Sequence, residues 1–266
     1  MAKILAVTNQ KGGVGKTTTV VNLSASLTAL GQKVLLIDLD PQGNATTGSG
    51  LDKNSLKNTV YQVLTQERSI DSAIYRSPTA GYDVLPANRA LAGAEIELVD
   101  VEFREFRLKN SLENIRSNYD VVLIDCPPAL NLLTLNGLTA TWRLLIPMQC
   151  EYYALEGLTD LLQTIRRVRA HLNPEIAIEG LLRTMLDPRS ALAQQVSAQL
   201  ERHFSGKIYR TAIPRNIRLA EAPSHGKPVL HYDPASKGAM AYLELAKEMM
   251  ERFDGAVSRE TTSSLR

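Results

Sequence analysis

Gln10-Lys11-Gly12-Gly13-Val14-Gly15-Lys16-Thr17-Thr18 follows the short apolar run Ile4-Leu5-Ala6-Val7, near the start of a 266-residue chain. Glycines at 12, 13 and 15 remove the Cβ atoms that would stop a tight turn from aiming successive backbone N–H groups at one point. The helix expected after the loop adds its own unpaired N–H groups and the positive end of its dipole, so the pocket suits a polyphosphate. Lys16 is placed to reach the β- and γ-phosphates, and the Thr17 hydroxyl to ligate Mg²⁺. The common pattern G-x-x-x-x-G-K-[ST] requires glycine at position 10, where this chain has Gln10. In its place comes a second lysine, Lys11, at the head of the loop.

The flanking sequence supports a phosphate loop. Thr18 to Leu30 carries apolar residues at 20, 23, 27 and 30, a helical spacing closed by Gly31. Val34-Leu35-Leu36-Ile37 then reads as a second strand buried on both faces. Strand, loop, helix and strand make the first βαβ unit of a nucleotide-binding α/β fold. Further strands are expected at 84–85, 121–124, 144–147, 176–185 and 208–209. Helices are expected over 104–118, 155–172, 189–204 and 236–253. The fold class is therefore α/β: a mostly parallel central sheet of about seven strands with helices on both faces, as in a P-loop NTPase. Residues 1–253 are read as a single domain, and 254–266 as a polar C-terminal tail expected to be disordered. The span 43–101 has poor periodicity and reads as short helices and loops.

Two carboxylates, Asp38 and Asp40, leave the second strand at the sheet edge where ligands bind in such folds, and Asp125 leaves 121–124 in the same sense. An acidic residue there can hold Mg²⁺ directly or through water, and another can orient the attacking water. Each could instead cap a helix or turn.

Composition narrows the class. With 44% apolar residues the chain can bury one large core. No apolar run approaches the roughly 18 residues of a bilayer span, and no secretory signal pattern is present. Cys126 and Cys150 have no metal-site spacing. A cytoplasmic protein is expected. The net charge of +2 conceals a local excess: between Arg183 and Lys227 there are eight Lys/Arg (183, 189, 202, 207, 210, 215, 218, 227) against three Asp/Glu (187, 201, 221). Such a stretch is a solvated face or a footprint for a polyanion.

Lys11-Gly12-Gly13-Val14-Gly15-Lys16-Thr17-Thr18, Asp38-Leu39-Asp40-Pro41-Gln42-Gly43-Asn44 and Ile124-Asp125-Cys126-Pro127-Pro128 together resemble the ParA/Soj family of deviant Walker A partitioning ATPases. The likeness continues through Glu151-Tyr152-Tyr153-Ala154-Leu155-Glu156-Gly157, Pro214-Arg215-Asn216, Ser224-His225-Gly226-Lys227-Pro228 and Tyr232-Asp233-Pro234. It covers residues 2 to about 253 and is nearest the chromosomal Soj branch. Trp142 departs from the pattern, since relatives commonly carry an acidic residue there.

The resemblance implies an Mg²⁺-dependent ATP hydrolase of weak basal rate that dimerises on ATP. It implies non-specific binding of double-stranded DNA by that homodimer, stimulation by a ParB-like partner, no membrane, and a cytoplasmic, nucleoid-associated location. Lys11, Lys16 and Asp40 are the implied catalytic residues, with Lys11 reaching the partner's phosphates and Asp40 positioning the attacking water. Lys11, Gly12, Gly13, Val14, Gly15, Lys16, Thr17 and Thr18 would cradle the phosphates. Met185, Pro214, Arg215 and Asn216 would lie on the adenine side. Thr17, Asp38 and Asp125 would serve the metal, and Arg189, Arg218 and more weakly Lys227 the DNA. The rivals are a MinD-like membrane ATPase, a nitrogenase-iron-protein-like electron carrier and a dethiobiotin-synthetase-like enzyme. Each lacks its requirement in this sequence: an amphipathic terminal helix, cluster-bridging cysteines or a substrate motif.

Overall fold

A computed structural model describes residues 2–263. The chain runs β1 (Lys3–Val7), α1 (Lys16–Ala29), β2 (Val34–Asp38), α2 (Asn44–Gly48), α3 (Val60–Leu64), β3 (Tyr75–Arg76), β4 (Asp83–Leu85), α4 (Leu91–Glu97) and α5 (Arg107–Leu112). It continues through β5 (Val121–Asp125), α6 (Leu132–Ala140), β6 (Arg143–Gln149), α7 (Ala154–His171), β7 (Ala177–Thr184), α8 (Ala191–His203), α9 (Ile217–Glu221), α10 (Val229–Tyr232) and α11 (Lys237–Ser263). Short 3-10 turns occupy Ile70–Ala73, Arg104–Phe106, Arg116–Asn118 and Ala222–His225.

The seven strands form one sheet in the order β3-β4-β2-β5-β1-β6-β7, parallel except for the β3–β4 pair. Every residue of β2 and β5 is buried, which explains their uninterrupted apolar character. One apolar layer joins the sheet to α3 through α8, with Leu91, Leu112, Leu138, Leu161 and Leu200 among its members. The other packs α1, α9 and α11 on the opposite face through Leu23, Leu27, Leu219 and Leu245. Helices cover both faces, as the α/β reading requires. No helix among the described residues is long and apolar enough to cross a membrane.

Local expectations fail where side chains outside the segment decide the backbone. The helix expected over 104–118 is broken into two 3-10 turns and the six-residue α5. Asn136 of α6 accounts for part of this: its Oδ1 accepts from Leu108 N–H (3.1 Å), and its Nδ2 donates to the Arg104 carbonyl (2.9 Å). Residues 208–209 do not form a strand; Ile208 makes only a bridge to Leu181. The seventh strand is instead β3. The last helix does not stop at Phe253 but runs on to Ser263, and 264–266 lie outside the described residues. Trp142 is half-buried, with Lys3 Nζ at 5.2 Å and the Arg143 guanidinium carbon at 4.3 Å from its ring centre. Cation–π contact explains an aromatic residue there.

Tyr209 is fully buried across β7, where Gly180 makes room for it. A Cβ at Gly180 would lie 2.5 Å from Tyr209 Cε2 and 3.0 Å from the Lys207 carbonyl oxygen. Gly180→Ala should therefore destabilise the fold by about 1–3 kcal/mol through overpacking. Urea denaturation would register this as a lowered midpoint with an unchanged slope; an unaltered midpoint would mean that the ring moves freely.

Candidate nucleotide site

The site forms at the carboxyl edge of three adjacent strands. In the parallel register Val7 lies opposite Asp125, and Asp125 opposite Asp38. The loop leaving β1 is thereby set beside two carboxylates that end neighbouring strands, which lie roughly 4.8 Å apart. Gly13 and Gly15 adopt φ of +76° and +88°, the left-handed conformation that an L side chain resists. Gly15 is the N-cap of α1 and bears no side chain to occupy the helix N-terminus. The loop is tied down from β7, because Thr184 Oγ1 donates to the Val14 carbonyl at 2.8 Å.

Lys16 is buried, and its Nζ donates to the Lys11 carbonyl at 3.2 Å. Burial holds its ammonium below the ordinary lysine value, while Asp125, Cys126 and Asp40 oppose that shift. Asp38 is buried but satisfied: it accepts from Thr46 N–H and Oγ1–H, both at 2.8 Å, and from Asp40 N–H at 3.1 Å. Desolvation nevertheless pushes its carboxyl up to about 6. Asp125 is 1% exposed, and neither of its oxygens makes a hydrogen bond of regular geometry, although the Thr17 hydroxyl is close enough to favour its charged form. Burial first, then the nearby Asp38, raise its carboxyl well above the usual value, against the pull of Thr17 and Lys16. Orphaned buried carboxylate oxygens beside Thr17 fit a bound cation, which would restore the charged form. Among the described residues no cluster of three or more His, Cys, Asp or Glu could hold a metal alone. That suits Mg²⁺, which keeps waters and substrate phosphates in its shell.

Asp40 is half-buried at the mouth, its Oδ1 held by Gln42 N–H at 2.9 Å. Lys11 points along the surface to Glu151, with Nζ 2.8 Å from Oε2 and both side chains partly exposed. Next to the loop, Met185, Pro214, Arg215 and Asn216 line a cavity of about 340 Å³ with Gly15, Thr18 and Ile213. Met185 carries φ of +49° and is linked to this wall by the bridge from Leu186 to Pro214. A larger cleft of about 570 Å³ opens at the other end of the sheet around Lys3, Arg116 and Phe253, and contains no residue of the loop.

The structure thus brings together residues 11–18, Asp38, Asp40, Asp125 and the cavity wall, but Arg189, Arg218 and Lys227 stand apart from them. Arg189 forks onto Asp187 through Nε and Nη2, each at 3.0 Å, and is 88% exposed. Arg218 on α9 is shared between Glu221 (2.8 Å) and Asp233 (3.1 Å). Lys227 is exposed in the turn before α10. Sequence reading missed Thr46 and Thr184, which anchor Asp38 and the loop, and gave Glu151 no role; only Glu151 stood in a quoted motif.

A carboxyl whose folded-state value is raised costs stability once the unfolded chain ionises and the folded one does not. Without nucleotide or metal, stability should therefore fall as pH rises from about 4 through about 6, where Asp38 ionises, and go on falling until Asp125 also ionises. Asp125→Asn removes the larger share of this cost. Thermal melts in EDTA at pH 7.5 should give a melting point raised by about 2–4 °C, with a flatter pH profile. A lowered melting point would show that the charge is compensated in the free protein.

An AAA-domain family model matches residues 2–178. The chain is 55% identical over 249 residues to the sporulation initiation inhibitor protein Soj of Bacillus subtilis, covering 94% of this chain and 98% of the relative. It is 50% identical over 252 residues to the chromosome partitioning protein ParA of Caulobacter vibrioides, covering 94% of each. Its fold superposes with a TM-score of 0.84 on a crystal structure titled cobyrinic acid a,c-diamide synthase from Mycobacterium smegmatis with bound ATP analog and magnesium, at 38% identity over 96% of this chain and 97% of that one. With a two-lysine phosphate loop, register-paired aspartates and these likenesses along nearly its whole length, the chain belongs to the ParA/Soj family of partitioning ATPases.

Proposed function

We propose that the protein is an ATP-driven DNA-partitioning ATPase: it dimerises on ATP, binds double-stranded DNA non-specifically as the dimer, and hydrolyses ATP faster when a ParB-like partner engages it. The observation that carries this reading is the orphaned, register-paired carboxylate Asp125 beside a loop that bears two lysines. Backbone N–H groups of residues 12–17 bind the triphosphate, and Lys16 neutralises its β and γ oxygens. Thr17, with Asp125 and Asp38 directly or through water, would hold the metal, which would supply charge neutralisation to the phosphates. Asp40 orients the water for in-line attack. Met185, Pro214, Arg215 and Asn216 enclose the base. Lys11 leaves Glu151 and reaches across to the second protomer's phosphates, which makes the closed dimer conditional on triphosphate, since two facing anionic nucleotides otherwise repel.

Arg189 and Arg218 serve the DNA, with Lys227 as a weaker contributor. Both arginines exchange their carboxylates for phosphates on binding, and two protomers double the number of phosphates engaged. The protein acts in the cytoplasm, on the nucleoid. A synthetase reading draws on the name of the Mycobacterium smegmatis structure. Turnover that responds to duplex DNA and a ParB-like protein, and not to cobyrinic acid with an amide donor, separates the two.

Asp40→Ala should retain ATP binding and accumulate as a dimer while turnover drops on the order of 10²-fold, because only water positioning is removed. Size exclusion with Mg²⁺-ATP and a phosphate-release assay read both; a monomeric variant would reassign Asp40 to the fold.

Arg189→Ala should weaken binding to every duplex equally, since phosphate contacts carry no sequence information. The slope of log affinity against log salt should become shallower by about 0.9 for each DNA phosphate that the variant no longer neutralises. Arg218→Ala should behave likewise with dimerisation intact. Unchanged slopes in both variants would return these arginines to a solvated face.

A further inference from the structure

The segment 95–105 differs from the rest of the surface. Leu91, Ala94 and Leu98 turn into the core, whereas Ile96, Val99 and Phe103 are 77%, 53% and 72% exposed. Ile96 lies in the last turn of α4 and Val99 and Phe103 in the non-helical turn that follows, so three large apolar side chains stand exposed within eight residues. Five carboxylates fall in the same eleven residues (Glu95, Glu97, Asp100, Glu102 and Glu105) against one cation, Arg104, in a chain whose net charge is +2.

The backbone here is fixed by its neighbours. Phe103 adopts φ of +55°, a strained value for an aromatic residue, and its carbonyl accepts from Phe106 N–H at 2.9 Å. The Arg104 carbonyl is held by Asn136, and its guanidinium bonds the Val99 carbonyl and Glu105. Two of the carboxylates are occupied: Glu97 accepts from Tyr61 O–H at 2.7 Å, and Glu105 pairs with Arg104. Asp100 and Glu102 make no side-chain hydrogen bond or ion pair within the described structure, and Glu95 Oε1 is buried without a partner. A strained, braced segment that holds three apolar groups in water among unpaired carboxylates has the form of a preorganised interface.

We infer that the Ile96–Val99–Phe103 surface, with Asp100 and Glu102 at its rim, docks a basic amphipathic protein segment, one that presents apolar side chains flanked by lysine or arginine. Charge selects the occupant. A second copy of this chain would bring the same carboxylates face to face, and DNA or an anionic membrane would be repelled. That the segment belongs to the activating partner rests on the partition reading; the surface itself does not. Its position suits simultaneous binding. Leu91 and Leu98 belong to the core layer opposite that of Leu219, beside Arg218, and Arg189 follows the edge strand β7, with β2, β5, β1 and β6 between that strand and β4. A partner here would leave the DNA-binding arginines uncovered.

Two probes test the surface in the full-length protein. The first is the ParB-like protein of the same organism, titrated into protein, Mg²⁺-ATP and duplex DNA while turnover is followed. The second is a synthetic helical peptide with leucines at i, i+3 and i+7 flanked by lysines, compared by calorimetry with its glutamate counterpart. Val99→Ser/Phe103→Ser and Asp100→Asn/Glu102→Gln alter exposed side chains only, and an unchanged melting point and basal turnover establish that they fold. Each variant should raise the half-maximal concentration of both probes by about tenfold or more. Wild-type affinity for the lysine peptide should fall with salt, and the glutamate peptide should not bind. Unaltered affinities in both variants, or no binding of either probe to wild type, would overturn the proposal. Binding of the lysine peptide with no response to the ParB-like protein would sustain the surface and defeat the partner assignment. Concentration-dependent self-association abolished by Val99→Ser/Phe103→Ser would give the surface to a second copy and overturn the basic segment.

Discussion

The arrangement depends on one electrostatic constraint: two carboxylates buried side by side, with a single buried ammonium near them. The parallel register of β2, β5 and β1 makes this unavoidable, since Asp38, Asp125 and the start of the loop end their strands at the same level. In water such a cluster would cost little; beneath a closed sheet edge each charge loses most of its hydration. The structure handles the two acids differently. Asp38 is compensated by three donors, chiefly from Thr46, and becomes part of the scaffold. Asp125 has no such set of donors; only Thr17 and Lys16 favour its charged form, and burial outweighs them. The group whose burial costs the free protein most is thus also the one a bound cation would relieve.

Exposure sorts the two loop lysines in the same way. Lys16 is enclosed and tethered to backbone, so its charge is committed to whatever enters the loop. Lys11 sits in water on Glu151, in a surface pair of the kind worth about 0–1 kcal/mol. A pairing that weak positions the side chain without detaining it.

Much of this was legible in the sequence because it rests on local chemistry. Glycines 12, 13 and 15, the lysines, Thr17 and the strand-ending aspartates state their environment directly, and β2 and β5 announce double burial by composition. What escaped depends on groups distant in sequence. Thr46 has no visible reason to matter until it lies against Asp38, and Asn136 breaks a helix 28 residues upstream of it. The strand count was right for a partly wrong reason: Ile208-Tyr209 has β-forming side chains but meets β7 at one bridge, while Tyr75-Arg76 has little pattern and pairs with β4 because the sheet offers an edge. Ile96 and Val99 fell in the span 43–101, whose periodicity was poor because its apolar residues point both inward and outward, and Phe103 lies just beyond it.

The strand order also bears on how the chain is made. β1 pairs with β5 and β6, and with nothing that precedes them. During synthesis β1, which leads into the phosphate loop, therefore has no strand neighbour until residue 121 and beyond have left the ribosome. At about 5–20 residues per second that is a wait of several seconds or more for an apolar strand already in solution. β2 can pair with β4 in the meantime, so one flank of the sheet can assemble before β5 joins it to β1, and β6 and β7 extend the other flank only after that. Nucleotide cannot assist those early steps, because the pocket that would hold it comes into being only when β5 slides between β1 and β2. An arrested chain shorter than about 125 residues would expose Ile4-Leu5-Ala6-Val7 to chaperones and to its neighbours on the polysome.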